Sequence, residues 1–197
     1  MKTTKLIPVL VASFLAVPAF AQSLGLGGAA QVNVNQQLRI ENGLKSGELN
    51  TREAAKLERE EAKINRVEAK AMADGKVTAA ERNRIDHLQD KASRDIHKEK
   101  HDAQTGNSAS ASSQRMQADV QRNANQQARI QAGVKDGSLT ASEAARLEHG
   151  QAQGERREAR AGIDGHVSVG EQSRIQRCEN RQSDAIRHEK HDRRHPG

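Results

Sequence analysis

Aromatic residues are nearly missing from this sequence, which contains two phenylalanines, no tryptophan and no tyrosine. Phe14 and Phe20 both precede residue 22, so the remaining chain has no phenyl, phenol or indole ring. Without such rings a surface cannot stack on nucleic-acid bases, and few large side chains are left to enclose a water-excluding cleft. The sequence also has no Gly-rich phosphate loop and no H-E-x-x-H motif. We therefore expect neither nucleic-acid binding, despite a net charge of +6, nor enzymatic activity.

Proline and cysteine are also scarce. Pro196 is the only proline after Pro18, so the commonest helix breaker is missing from the body of the chain. Alanine, glutamate, arginine, lysine and glutamine are abundant, and these residues favour helices. The sequence therefore predicts an all-α protein. The single cysteine, Cys178, is either a small apolar residue of a helix or the site of a disulfide between two chains.

The first 21 residues have the features of a secretory signal peptide. Lys2 and Lys5 precede an apolar run at residues 6–20, and Ala19-Phe20-Ala21 matches an A-x-A cleavage site. We expect cleavage after Ala21, export to the periplasm and no transmembrane segment. Residues 22–32, which are rich in glycine at their start, are interpreted as a flexible tail.

The rest of the chain contains an internal repeat. Residues 33–102 align without a gap with residues 123–192, at an offset of 90 residues. For example, Glu-Lys-His-Asp occurs at residues 99–102 and again at 189–192. We predict a tandem duplication of a three-helix unit. Repeat 1 covers 33–102, a flexible linker with a helix extension covers 103–117, repeat 2 covers 118–192, and 193–197 form a tail.

A turn motif divides each repeat into three helices. A glycine is followed three residues later by Asn, Thr or Ser and six residues later by Glu, beginning at Gly47, Gly75, Gly137 and Gly165. Glycine suits the left-handed conformation just after a helix, and the polar residue and Glu form a capping box at the next helix. This predicts helices at about 31–45, 51–73, 79–101, 114–135, 141–163 and 169–192.

One face of the predicted middle helix carries a carboxylate among alanines. The positions of this helix that are identical in both repeats share one face, and Glu58 lies near its centre. A buried carboxylate needs a partner. Arg84, which recurs as Arg174, is the expected partner in an ion pair between helices; the alternative is a functional carboxylate.

Histidines and aspartates gather at the ends of the two repeats. Their spacing places imidazoles on one side of a helix, which suits Zn²⁺, Cu²⁺ or Ni²⁺. The alternative is a set of solvated side chains at helix ends. The candidate metal ligands are His97, His101, Asp102, His188, His191, Asp192 and His195.

The turns resemble segments of two known families. The spacing of Gly, an apolar residue and Glu resembles the second half of an EF-hand loop, which implies Ca²⁺ binding, but the ligand positions of the first half hold residues such as Lys70 and Met72. Ca²⁺ therefore ranks below the transition metals. Residues 71–78, Ala-Met-Ala-Asp-Gly-Lys-Val-Thr, also resemble the turn of the all-helical TerB family. A capping turn alone accounts for the same residues.

The chain as a whole is similar to a group of uncharacterised exported bacterial proteins with G-x-L-T-x-x-E turns and a K-H-D ending. Its general character also resembles the small helical Spy/CpxP proteins, which implies action in envelope stress. The leading hypothesis is a non-enzymatic periplasmic binding protein whose partners are other proteins or anionic envelope components, with self-association as a further option. The alternative is a divalent-metal binder or buffer.

Overall fold

The computed structural model describes residues 27–191, and these residues form helices without any strand. The predicted all-α class is therefore confirmed for this part of the chain. The predicted signal peptide, residues 22–26 of the predicted N-terminal tail and the C-terminal tail lie outside the described residues. Residues 27–32, predicted as part of a flexible tail, are helical. The helices are α1 (Gly27–Ser46), α2 (Thr51–Met72), α3 (Ala79–Lys100), α4 (Ala111–Asp136), α5 (Ala141–Gly162) and α6 (Val169–His191).

The helix boundaries follow the predicted turns. Gly47, Gly75, Gly137 and Gly165 all have a positive φ, between 77° and 88°. A side chain in this backbone conformation would be strained, which explains the glycine. At the start of α3, Thr78 accepts a hydrogen bond from the Glu81 N–H, and Glu81 accepts one from the Thr78 N–H. Equivalent reciprocal bonds begin α2, α5 and α6.

The most extensive packing joins the two halves of the chain. Helix α2 has its largest contact with α5, and α1 has its largest contact with α4. The outer helices flank these pairs, because α3 packs on α2 and α1 while α6 packs on α5 and α4. A Cβ atom on Gly162, at the end of α5, would lie 2.9 Å from Cβ of Ala55, near the start of α2. The two middle helices are therefore antiparallel and very close.

Apolar side chains lie at both ends of this central pair. At one end Ala54, Leu57 and Met116 belong to a cluster that also contains Ala161 of α5. At the other end Met72 and Ile85 pack with Ala144 of α5, beside a smaller cluster around Ile130 and Leu139. Both large clusters combine residues of the two halves. The middle of the bundle, between these apolar ends, is polar.

The segment that joins the halves contacts the first half. The Gly106 N–H donates to the carbonyl of Gly47 at 2.8 Å. A Cβ on Gly106 would lie 2.3 Å from the carbonyl oxygen of Leu49, so this close approach requires glycine. Ser110 then caps α4 by accepting a hydrogen bond from the Ser113 N–H at 3.1 Å.

Candidate functional site

The middle helices bury a row of carboxylic acids where they pack together. Apart from the capping glutamates Glu53 and Glu143, three glutamates of α2 and three of α5 are at most 3% exposed: Glu58, Glu61, Glu68, Glu148, Glu155 and Glu158. Within each helix they are three or seven residues apart, which places them on one face. Acids are rarely buried unless they are paired. Yet the buried residues between 27 and 191 include no lysine, arginine or histidine.

The expected ion pair between Glu58 and Arg84 is wrong. Glu58 is fully buried and accepts hydrogen bonds from the amides of Gln37 and Asn123, whereas Arg84 is exposed on α3. A neutral amide costs far less to bury than a guanidinium. The amide therefore enters the core and the arginine remains in water.

Cluster 1 consists of Glu58, Glu158, Gln37 and Asn123, and each of these residues comes from a different helix. Gln37 Nε2 donates to Glu58 Oε2 at 3.2 Å. Asn123 Nδ2 donates to Glu158 Oε2 at 2.6 Å and to Glu58 Oε2 at 3.4 Å. One amide therefore bridges two carboxyl groups that belong to the two halves of the chain.

Cluster 2 consists of Glu148, Glu68, Gln127 and Asn33, which also come from four helices. Gln127 Nε2 donates to Glu148 Oε1 at 2.8 Å, and Asn33 Nδ2 donates to Glu68 Oε2 at 2.7 Å. Every member of cluster 2 lies 90 residues from a member of cluster 1. The same four residue types thus occur twice in the bundle, although no recorded hydrogen bond bridges the two glutamates of cluster 2.

Further polar residues connect the two clusters. Asn65 Nδ2 donates to Glu155 Oε1 at 2.7 Å, and the same oxygen accepts a bond from Gln37 at 3.3 Å. Asn33 Nδ2 donates to Asn65 Oδ1 at 3.1 Å. Glu61 differs from its neighbours because neither of its carboxylate oxygens has a partner. We call this whole set the acid–amide core.

The acid–amide core has too many acceptors and too few donors. Among the described residues, every buried side-chain atom that lacks a hydrogen-bond partner is an oxygen. In cluster 1 these atoms are Oε1 of Glu58, Glu158 and Gln37, and in cluster 2 they include Oε1 of Gln127 and Oε2 of Glu148. A buried acceptor without a donor is costly. Protons or a cation would supply the positive charge that these oxygens can accept.

The protonation of these acids follows from their surroundings. Burial raises the pKa of Glu58 to about 8 and the pKa of Glu68 to about 7, from an ordinary value of 4.5. Burial, together with the negative charges of neighbouring acids, also raises the pKa values of Glu61, Glu155 and Glu158 well above that value. Near neutral pH much of the core therefore holds protons.

The surface carries a second feature, two basic recesses at equivalent places. Recess 1 is lined by four cations, Lys63, Arg66, Lys70 and Arg84, together with Glu81. Recess 2 is lined by three cations, Arg157, Arg160 and Arg174, together with Glu171. Within residues 27–191 none of these cationic side chains forms an ion pair, and all are exposed. The glutamate in each recess is already used in a capping box.

The predicted metal ligands lie at different places in the structure. The rings of His97 and His101 lie with centroids 4.2 Å apart, and both side chains are exposed. The Asp102 carboxylate groups instead with those of Glu53 and Glu99, with oxygens within 4.8 Å of one another.

In the second half, His188 and His191 are exposed at the end of α6. Asp192 and His195 lie outside the described residues. The structure therefore brings together one pair of the predicted ligands, His97 and His101.

Sequence reasoning missed the amides of the acid–amide core. Asn33 and Gln37 are polar residues that helices commonly expose, so periodicity gives no reason to bury them. Their recurrence as Asn123 and Gln127 was the available signal. In both halves, the polar positions that stay the same include the amides that donate to buried glutamates.

No helix of residues 27–191 has the length and apolar character needed to cross a bilayer. Comparisons with protein-family models, curated proteins and solved structures give no match to this chain. Function is therefore inferred from the acid–amide core and the basic recesses themselves.

Proposed function

We propose that this protein is an exported, non-enzymatic helical binding protein whose two basic recesses bind anionic components of the cell envelope. The observation that supports this proposal is the concentration of cations without ion-pair partners around recess 1 and recess 2. Some cations elsewhere on the described surface do pair with acids: Lys100 lies 3.2 Å from Glu48, and Arg146 lies 3.4 Å from Glu189. Uncompensated cations attract phosphate-bearing surfaces.

The two recesses share their key positions. Lys70 and Arg84 in recess 1 occupy the places of Arg160 and Arg174 in recess 2, 90 residues later. We interpret the two halves as copies of one duplicated three-helix unit, so that one molecule carries two sites of the same kind. Two linked sites on a surface of repeated anionic groups raise the overall affinity without new contacts.

Binding to anionic vesicles tests this proposal. The purified chain without residues 1–21 should sediment with vesicles that contain phosphatidylglycerol and should remain in solution with vesicles of phosphatidylcholine alone. The double variant Arg160→Gln/Arg174→Gln removes two charges from recess 2. Each basic side chain near an anionic membrane contributes about 1 kcal/mol, so the affinity should fall roughly tenfold or more.

A matched control distinguishes the effect of recess 2 on binding from the effect of the overall net charge. Arg177 and Arg181 are exposed on α6 outside recess 2, and Arg177→Gln/Arg181→Gln lowers the net charge by the same amount. This control should keep most of the affinity. Equal losses in the two double variants, or no binding by the unaltered chain, would reject the proposed function.

Transition-metal binding is a second candidate function. It is favoured by the adjacent rings of His97 and His101, which are one helical turn apart. His101 Nδ1 lies 2.7 Å from the His97 carbonyl oxygen, which leaves Nε2 of His101 available to a metal. Titration with Cu²⁺ or Zn²⁺ should show binding that is lost in His97→Ala. Unchanged binding in this variant would remove the candidate site.

A further inference from the structure

We propose that cluster 1 and cluster 2 each bind one hard divalent cation inside the bundle. Each cluster presents two glutamates and two amides, contributed by four different helices. Helical bundles build internal metal sites in this way, from side chains that project inward from facing helices. The sites are separate from the basic recesses and from the exposed histidines.

The donor atoms select the class of cation. Each cluster offers carboxylate and amide oxygens and no sulfur or imidazole nitrogen, a set that suits Ca²⁺, Mn²⁺ or Mg²⁺. Two carboxylates with two oxygens each and two amide carbonyls supply about six oxygen ligands, which is enough for these ions. The amides of Gln37 and Gln127, whose oxygens have no partner, can present either their nitrogen or their oxygen to the centre of the cluster by a half turn of the side-chain amide group. Asn33 Oδ1 instead accepts a bond from Gln89 Nε2 at 2.6 Å.

Charge balance supports a divalent ion in particular. A buried ion pair is tolerated only when the charges compensate, and two ionised glutamates compensate one divalent cation. No buried basic side chain in the described residues competes for this position. Two further buried acids, Asp119 and Glu179, lie near the glutamates of cluster 1, and Glu179 pairs with the partly exposed Arg122 at 3.4 Å.

The unpartnered oxygens indicate where the cation binds. Oε1 of Glu58, Glu158 and Gln37 in cluster 1 has no hydrogen-bond donor, although these residues are at most 2% exposed. In cluster 2 the equivalent Gln127 Oε1 and the Glu148 Oε2 lack donors as well, whereas both oxygens of Glu68 accept amide bonds, from Asn33 and Gln89. A bound ion is one kind of group that satisfies buried acceptors of this kind.

Protons are the competitors of the cation. When both carboxyl groups of a cluster are protonated, binding of one divalent cation displaces two protons to solvent and leaves a neutral complex. Binding should therefore strengthen as the pH rises, since fewer protons must be displaced. The acidic trio of Glu53, Glu99 and Asp102 is not part of this proposal, because it lies at the helix ends and is partly exposed.

Mn²⁺ is the probe for the experiment, because free and bound Mn²⁺ are distinguished by electron paramagnetic resonance. The chain without residues 1–21 should bind two Mn²⁺ per molecule at pH 8, and at least tenfold more weakly at pH 5. Ca²⁺ should displace the bound Mn²⁺ in competition.

Isosteric variants assign the sites. Glu58→Gln alters only cluster 1 and Glu148→Gln alters only cluster 2, so each should bind one Mn²⁺, and the double variant should bind none. Glu99→Gln, which removes the same charge from the acidic trio, should still bind two. Circular dichroism checks that every variant remains helical. Absence of Mn²⁺ and Ca²⁺ binding at pH 8, or two bound ions in both single variants, would overturn the proposal and leave protons as the only counter-charge of the core.

Discussion

Raising the pH from 5 to 8 should destabilise this protein. The pKa of Glu58 is about 8 and the pKa of Glu68 is about 7 in the folded chain, against 4.5 for an exposed glutamate. The folded state therefore binds these protons more tightly than the unfolded state does. The resulting stabilisation is complete below pH 4.5 and is lost as the pH rises through 7 and 8. This direction is opposite to ordinary acid denaturation.

The expected effect is large compared with the total stability. One pKa unit corresponds to about 1.4 kcal/mol, so the shift of Glu68 corresponds to about 3 kcal/mol and that of Glu58 to about 5 kcal/mol. Domains of this kind are stable by roughly 5–15 kcal/mol. Loss of the contribution of one such group alone should lower the midpoint of urea unfolding by an amount that is easily measured.

Urea unfolding followed by far-UV circular dichroism at several pH values is the assay, with EDTA present to exclude cations. The midpoint should fall steadily between pH 5 and pH 8. Glu58→Gln keeps the shape of the side chain but cannot ionise, so this variant should be more stable than the unaltered chain at pH 8 and less sensitive to pH. Asp90→Asn, at an exposed position of α3, is the matched control. A midpoint that is constant or rises with pH would show that the buried acids do not retain their protons in the folded state.

Two further properties can be checked. Gly43→Ala should destabilise the fold by roughly 1–3 kcal/mol, because the new Cβ would lie 2.6 Å from Cδ1 of the buried Leu49. Gly154→Ala, whose new Cβ would have its nearest neighbouring atom at 3.7 Å, should instead stabilise the fold by up to about 1 kcal/mol. Thermal unfolding of the two variants tests this order of stability, and the reverse order would contradict the packing. Cys178 is buried, so it should react with a thiol reagent only when urea unfolds the chain, and rapid labelling of the native protein would show that its helix opens.

The helices could be predicted because their ends are encoded locally. The glycine at the positive-φ position, the cap and the glutamate three residues later lie within one short segment, as at Gly75, Thr78 and Glu81. Each of these residues acts through the backbone beside it. Neighbouring residues are therefore enough to define the boundary, and the helix ends found in the structure agree closely with those expected from the turns.

The acid–amide core could be predicted only in part. The position of Glu58 on a face of small residues did indicate a buried carboxylate, but its partner could not be deduced from charge. An arginine was the obvious choice by electrostatics, whereas the structure uses Gln37 of α1 and Asn123 of α4. These contacts depend on how α2 packs against the opposite half of the chain, and no local pattern specifies that packing.

The pairing of α2 with α5 and of α1 with α4 also means that neither half of the chain has a complete interior. Each cluster needs glutamates from both sides of the connector. A protease that cut the connector between residues 101 and 110 would leave two fragments still held together by their shared interior. A fragment made alone would have to find a second copy of itself to cover the same surfaces, so the smallest self-sufficient form of this architecture is a pair of units, whether or not a peptide bond joins them.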